Sequence, residues 1–428
     1  MQTEQLYQVF LQHPFIQTDT RKLKKGEMFF ALKGDNFNGN SFAQKALELG
    51  ASAVVIDEDV PVSDKRVFKV QNVLSTLQQL AKHHRQQFQI PFIAITGSNG
   101  KTTTKELIHA VLSSHYKTYT TEGNLNNHIG IPLTILKIKK DAEIAVIEMG
   151  ANHQQEIASY CTYALPTYGL INNCGKAHLE GFGGIEGVKK AKGELYDFIR
   201  ATNGSIFINT DLDYLAEMSS GITHRITYGT KKAEITGHLL ESDPFLKIEI
   251  DSDHTINNIQ THLVGGYNLP NVLAAIAVGK HFKVPGQKIK NAIEGYQPSN
   301  SRSQLIEKGT NKIVLDAYNA NPASMKVAVE NFAKIKTAGK VLILGAMAEL
   351  GEESIYEHEE LVNLIAEYNW TKVVLVGGDF EKIKHPYIYF ASSSKAKEWF
   401  QNQLFENTYI LIKGSRSMKM ETVLSTEN

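Results

Sequence analysis

The chain has 428 residues, and at roughly 150 residues per domain that length predicts about three domains. Its 45 Lys plus Arg cancel its 45 Asp plus Glu, so no overall field favours nucleic acid or an anionic membrane, and any anion must be caught locally. Hydrophobic residues at 42% and charged residues at 21% exclude a largely disordered chain.

The first residues, MQTEQLYQVFLQHPF, lack a basic start followed by an apolar stretch, and no run approaches the ~18–20 apolar residues that span a bilayer. Two cysteines, Cys161 and Cys174, make neither a disulfide framework nor a CxxC pair. A cytoplasmic, monomeric protein is expected. Mixed short elements fill the first 80 or so residues, with a strand at 53–56 (AVVI). Residues 78–89 (QQLAKHHRQQFQ) are polar and helix-prone, and Pro91 marks a boundary.

Strands at 92–96 (FIAIT), 144–147 (IAVI), 168–171 (YGLI) and 205–209 (SIFIN) then alternate with helical patterns at 101–113, 187–200 and 271–281. That alternation predicts a doubly wound, mostly parallel sheet with helices on both faces. At 246–250 (LKIEI) the period becomes two, which predicts an antiparallel edge. A polar joint at 297–302 (QPSNSR) follows, and strand–helix alternation restarts with strands at 312–315, 341–344, 373–376, 387–390 and 409–412. Helices are expected after Pro322 and at 356–368. The fold class is α/β in three domains: a small mixed α/β domain at 1–84, a central phosphate-loop domain at 85–299 and a Rossmann-like domain at 300–428.

Residues 95–104 read ITGSNGKTTT. A buried strand ends at Thr96, Gly97 and Gly100 let the backbone N–H groups of Gly97, Ser98, Asn99 and Gly100 approach phosphates, and Lys101 opens a helix whose N-terminus carries positive potential. ATP is the expected ligand, with Lys101 on its β- and γ-phosphates and Thr102 or Thr103 on Mg²⁺. The loop is a variant, because Ile95 stands where the common pattern has its first Gly.

Glu148 ends the 144–147 run and would lie beside this loop in a doubly wound sheet, where its oxygens suit Mg²⁺ or a turn cap. His178 follows the next strand and reads as a cation or phosphate ligand or as a structural histidine. The stretch 181–187 (GFGGIEG) fails the GxGxxG pattern and is expected to be a flexible loop. It leads to Lys189, Lys190, Lys192 and Glu194, which the residues alone read either as a site or as a solvated helix face.

Taken together and in order, 96–104, 148–152, Asn173 with His178 and Leu179, and 191–194 (AKGE) resemble the Mur ligases of peptidoglycan precursor synthesis. The resemblance covers nearly the whole chain. It implies domains for the UDP-linked substrate, for ATP and for ligation. The pattern is most similar to the branch that joins D-alanyl-D-alanine to UDP-N-acetylmuramoyl-tripeptide. On that likeness Thr20, Arg21, Asn38 and Gly39 belong to the uridine-nucleotide domain, and Asn124, Asn126 and Asn127 (121–130, TEGNLNNHIG) face the acceptor. Asn268 and Asn271 match an adenine-contacting segment, and Arg302 a phosphate contact. Asp316, Asn319 and Asn321 (316–322, DAYNANP) match a segment at the nucleotide and amine, with Ser415 and Arg416 on the dipeptide carboxylate, a bidentate partner that suits arginine. The chain departs from the family pattern at Asn38 and Ala346, where acidic residues are usual, and at Tyr267, where His is usual.

The likeness implies that ATP phosphorylates the tripeptide's terminal carboxylate. The D-alanyl-D-alanine amine then attacks the acyl phosphate, and a tetrahedral intermediate expels phosphate. Lys101 would stabilise the transferring phosphoryl group. Thr102 and Glu148 would hold one Mg²⁺, and His178 with a carbamylated Lys192 a second. Absence of an Asp-Asn-Pro-Arg run argues against the diaminopimelate-adding neighbour. Alternatives are a sibling ligase with another amino-acid donor, a folylpolyglutamate synthase-like ligase, an NTPase switch, and a binding module without catalysis.

Overall fold

A computed structural model describes residues 2–251, 255–299 and 301–425. The expected joint at 297–302 is extended or turn-like where described, and Asn300 lies outside the described residues.

The first sheet is four-stranded and parallel, in the order Ile16–Gln17, Met28–Phe30, Ala53–Ile56, Val67–Lys69. Its two inner strands are fully buried, as their apolar runs require, and a two-stranded ribbon (Lys33–Gly34 with Phe37–Asn38) sits beside it. The helix expected over 78–89 begins earlier, at Val73, because the Asn72 side chain accepts from the Ser75 N–H and caps it. This helix, Val73–Arg85, fastens the first sheet to the second. His84 takes Tyr7 on one side (3.1 Å) and the Ile138 carbonyl on the other (2.8 Å). Arg85 donates to the Ala164 and Leu165 carbonyls and lies 3.7 Å over the Phe92 ring.

The second sheet has nine strands, ordered Asn258–Val264, Phe245–Ile250, Ile235–Glu241, His224–Gly229, Ser205–Asn209, Tyr168–Ile171, Phe92–Thr96, Ile144–Glu148, Thr118–Thr120. Seven of these pair in parallel, and the period-two segment forms the antiparallel extension at one edge. The helix Leu269–His281 is apolar all round and correspondingly buried, wedged between the sheet and the helix Lys101–Ser113. Gly279 permits the close approach, since a Cβ there would meet Val111 at 2.6 Å.

The stretch 181–187 is not a loop. A short helix, Leu179–Phe182, ends at Gly183 and Gly184, and the helix Ile185–Ala201 starts at once. Both glycines take positive φ, and Leu179 and Phe182 are buried, so the apolar contacts outweigh the glycine-rich composition. At Gly187 a Cβ would lie 1.8 Å from the Phe182 carbonyl oxygen, so only glycine fits this tight return.

The third sheet runs Gln304–Lys308, Asn311–Asp316, Thr408–Lys413, Gly339–Gly345, Lys372–Val376, Ile388–Phe390. All but the first strand are parallel, which gives the expected Rossmann-like layer. No helix among the described residues is long and apolar enough to cross a membrane.

Candidate active site

The register of the central sheet brings three carboxyl ends together: Ile95 pairs with Glu148, and Thr96 with Ile171. Ligands in open α/β sheets collect at such a point, where the chain leaves one strand toward opposite sides. The loop after Phe92–Thr96 is held from the next strand end. Ser98 N–H donates to the Asn173 carbonyl (2.9 Å), and Asn99 N–H to Asn173 Oδ1 (3.0 Å). Ser98 Oγ donates to the Gly175 carbonyl at 2.9 Å. Gly97 (φ 145°) and Gly100 (φ 78°) supply the turns.

Lys101 curls its ammonium onto the Gly97 carbonyl at 2.7 Å and the Ser98 carbonyl at 3.3 Å. Burial lowers its pKa; Glu148 works against that and Arg302 adds to it.

Glu148 is 1% exposed. Its Oε1 accepts from Thr102 Oγ1 (3.1 Å) and from Asn126 Nδ2 (2.8 Å), and its N–H donates to Thr121 Oγ1 (3.0 Å). Oε2 is buried with no hydrogen-bond partner. A buried, unsatisfied carboxylate oxygen beside a threonine hydroxyl is the hard-oxygen donor set that Mg²⁺ takes, so these residues fit that ion. Thr103 lies on the same helix turn, but no contact brings it to Glu148.

A second cluster lies one strand further on. His178 adopts a left-handed backbone (φ 52°) and abuts the Glu349 carboxylate of the third domain, which holds the Glu349 carboxyl below its usual range. Lys192 is 1% exposed; its Nζ donates to the Ala151 carbonyl at 3.3 Å and lies 4.9 Å from the Phe182 ring centre. Burial pushes its ammonium down to about 7, and the charge of Lys101 adds to the shift. Among the described residues no carboxylate pairs with it.

The amides expected at adenine are tied into the protein. Asn271 accepts from Thr104 (3.0 Å) and donates to Asn268 (2.9 Å), which donates to the Val264 carbonyl (2.9 Å). Asn172 joins this network through Thr104 (2.7 Å). Tyr267 bonds Ser303 Oγ at 2.8 Å, and the Ser303 N–H donates to Asp316.

The third domain brings Asp316, bonded by Lys413 (2.6 Å), and Asn319, whose carbonyl accepts from the same ammonium (3.2 Å). Arg302 stacks 3.5 Å over Tyr318, with Arg416 5.9 Å from that ring centre. Arg416 also bonds Glu421, whereas the Ser415 hydroxyl is buried on the Ala346 carbonyl at 2.6 Å. Asn321 caps its helix and reaches across to Asn99 Oδ1 at 2.8 Å. A further bridge joins Lys176 to Glu357 at 2.5 Å.

Of the acceptor amides, Asn126 points to Glu148, Asn127 caps the helix Gly130–Leu136 through the Ile129 and Gly130 N–H groups, and Asn124 is exposed. In the first domain Arg21 is exposed and pairs with Asp19, and Thr20 lies beside it partly buried. Asn38 donates to Glu58 (2.7 Å), and Gly39 runs against the Leu32 carbonyl, where a Cβ would come to 2.5 Å. No contact joins these four residues to the phosphate loop. The sequence assigned no site role to Asn172, Asn173, Thr121 or Glu349, although Asn173 and Thr121 stand in stretches that carry the family resemblance. Asn172 and Asn173 end the neighbouring strand, a readable signal; Thr121 and Glu349 are placed only by pairing across the fold.

A phosphate loop with a carboxylate in reach, met by side chains of a Rossmann-like domain, defines a nucleotide-dependent enzyme that works between domains. Three family models match in order: Mur ligase family, catalytic domain, over 13–85; Mur ligase middle domain over 95–279; and Mur ligase, glutamate ligase domain, over 301–416. The chain is 35% identical to the UDP-N-acetylmuramoyl-tripeptide–D-alanyl-D-alanine ligase of Bacillus subtilis (strain 168) and 34% identical to that of Escherichia coli (strain K12), each match covering 96% of this chain and 92% of the relative. A crystal structure of MurF from Acinetobacter baumannii superposes with a TM-score of 0.86 at 30% identity, covering 96% of this chain and 92% of that one. MurF ligase from Thermotoga maritima in complex with ADP gives 0.86 at 28%, covering 97% of each. The chain belongs to the Mur ligase family, and it is an ATP-dependent ligase.

Proposed function

We propose that this ligase joins D-alanyl-D-alanine to the terminal carboxylate of UDP-N-acetylmuramoyl-tripeptide, with ATP consumed, in peptidoglycan precursor synthesis, acting as a cytoplasmic monomer. The observation that carries the reading is likeness to UDP-N-acetylmuramoyl-tripeptide–D-alanyl-D-alanine ligases over 96% of this chain and 92% of theirs.

A carboxylate is a poor electrophile, so the reaction begins with transfer of the γ-phosphoryl group of ATP to it. Lys101 and the N–H groups of the loop meet charge on that group, and Arg302 adds a second cation from the opposite side. The amine of the dipeptide then attacks the acyl carbon and phosphate leaves. Arg416, beside Tyr318, suits the dipeptide carboxylate. Closure between the second and third sheets keeps water from the acyl phosphate.

Thr102 and Glu148 would hold Mg²⁺, which neutralises charge on the phosphate oxygens. Lys192 as an ammonium would repel a cation near His178. As a neutral amine it can take up CO₂, and the resulting carbamate would offer oxygens in place of the charge. Phosphate release tests the function: it should require ATP, the UDP-linked tripeptide and the dipeptide together. Release that persists when either acceptor or dipeptide is omitted would instead support an NTPase switch.

A further inference from the structure

Lys105 is a buried cation with no part in the chemistry above. It lies one turn beyond Lys101 on the phosphate-loop helix, and its side chain is 0% exposed. Its Nζ pairs with Glu106 Oε1 at 2.6 Å and donates to the Thr121 carbonyl at 2.6 Å. Thr121 follows Thr118–Thr120, which is the last strand of the sheet and, among the described residues, pairs only with Ile144–Glu148. The segment beyond that edge thus has neighbouring strand support on one side alone. It is also the segment that aims Glu148: Thr121 Oγ1 accepts the Glu148 N–H, and Asn126 five residues on donates to Glu148 Oε1.

We infer that Lys105 is a positioning residue that ties the phosphate-loop helix to the edge-strand exit, so that Thr121 and Asn126 hold the Glu148 carboxylate toward the cation beside Thr102. The ammonium is better suited to this than a neutral donor, because a charge-assisted bond to a carbonyl is short and strong and is not competed away by water in a dry site. The link also makes residues 121–127, expected at the acceptor, respond to the helix that receives the nucleotide.

The inference rests on the reading that Glu148 holds the cation, and the experiment separates the two. Mn²⁺ binding to the ADP-loaded full chain is followed by the electron paramagnetic resonance of free Mn²⁺, alongside thermal unfolding. Lys105→Met, which keeps the volume, should raise the Mn²⁺ midpoint roughly tenfold, the scale of one charge-assisted bond; Lys105→Arg should recover much of it. A purely structural lysine would lower the melting temperature and leave the midpoint of the folded protein unchanged, which overturns the proposal. Should Lys105→Met fail to fold, Thr121→Val must raise the midpoint in the same way, and a wild-type midpoint there overturns it equally. Glu148→Gln is the control. If it binds Mn²⁺ as the wild type does, the Glu148 reading falls and this inference with it. If it loses binding while Lys105→Met keeps it, only the inference falls.

Discussion

An ammonium taken out of water loses hydration that only a close anion or several acceptors replace, and Lys192 has a single carbonyl at 3.3 Å. Its folded pKa of about 7 lies below the ~10.4 of an exposed lysine. Between those values the unfolded chain binds more protons, so stability rises with pH across that window and the penalty is complete below about 7. In CO₂-free buffer, Lys192→Met should therefore melt above the wild type at pH 6, with the gap closing toward pH 10; a gap that does not depend on pH would contradict the shift. The neutral amine is also the form that captures CO₂. At equal dissolved CO₂, activity lost on CO₂ removal should return faster at pH 8 than at pH 6. Lys101 and Glu148 were legible from the strand–loop–helix pattern, because phosphate and metal chemistry restrict residue type there, whereas His178 and Lys192 stayed ambiguous on the residues alone and were singled out only by the family resemblance. Glu349 had no such signal: its contact with His178 spans two domains, and its carboxylate fits any surface equally well.

Among the elements, the helix Pro322–Ala333 shows how a local rule and a distant contact share one side chain. Asn321 forms a capping box with Ser324 and also donates to Asn99 across the cleft. Asn321→Asp keeps a good cap and removes the donor, whereas Asn321→Ala removes both. Calorimetric unfolding should show a loss of about 1 kcal/mol for Ala and much less for Asp. Both should raise the KM for ATP, and equal KM values in all three proteins would remove the cross-cleft role. Strands and helices were legible because buried β-branched runs and capped amphipathic stretches state their own period. The segment 181–187 was misread for a physical reason: glycine content suggests freedom, yet Leu179, Phe182 and the tight return at Gly187 impose helix through packing.

For the whole molecule, zero net charge conceals a seam between the second and third sheets where side chains of opposite character meet. Lys176 and His178 on the central side meet Glu357 and Glu349 on the other. Each pair sets a half-exposed partner, Lys176 or Glu349, against a more buried one, so solvent screens it in part and the two substitutions together should do more than either alone. The double variant Glu349→Ala, Glu357→Gln should enlarge the radius of gyration in solution scattering without nucleotide and raise the KM for the dipeptide several-fold. Unchanged scattering would show that these pairs do not set the arrangement.

The fastening of Val73–Arg85 through His84 and Arg85 has a consequence for substrate measurement. With the first sheet clamped to the central one, and on the proposal that the first sheet's domain takes the uridine end, the distance from that end of an acceptor to the phosphate loop is a fixed ruler. An acceptor of the wrong length then presents its carboxylate off the mark however tightly its nucleotide end is gripped. Length discrimination of this kind needs no side chain dedicated to it; it is a property of the scaffold.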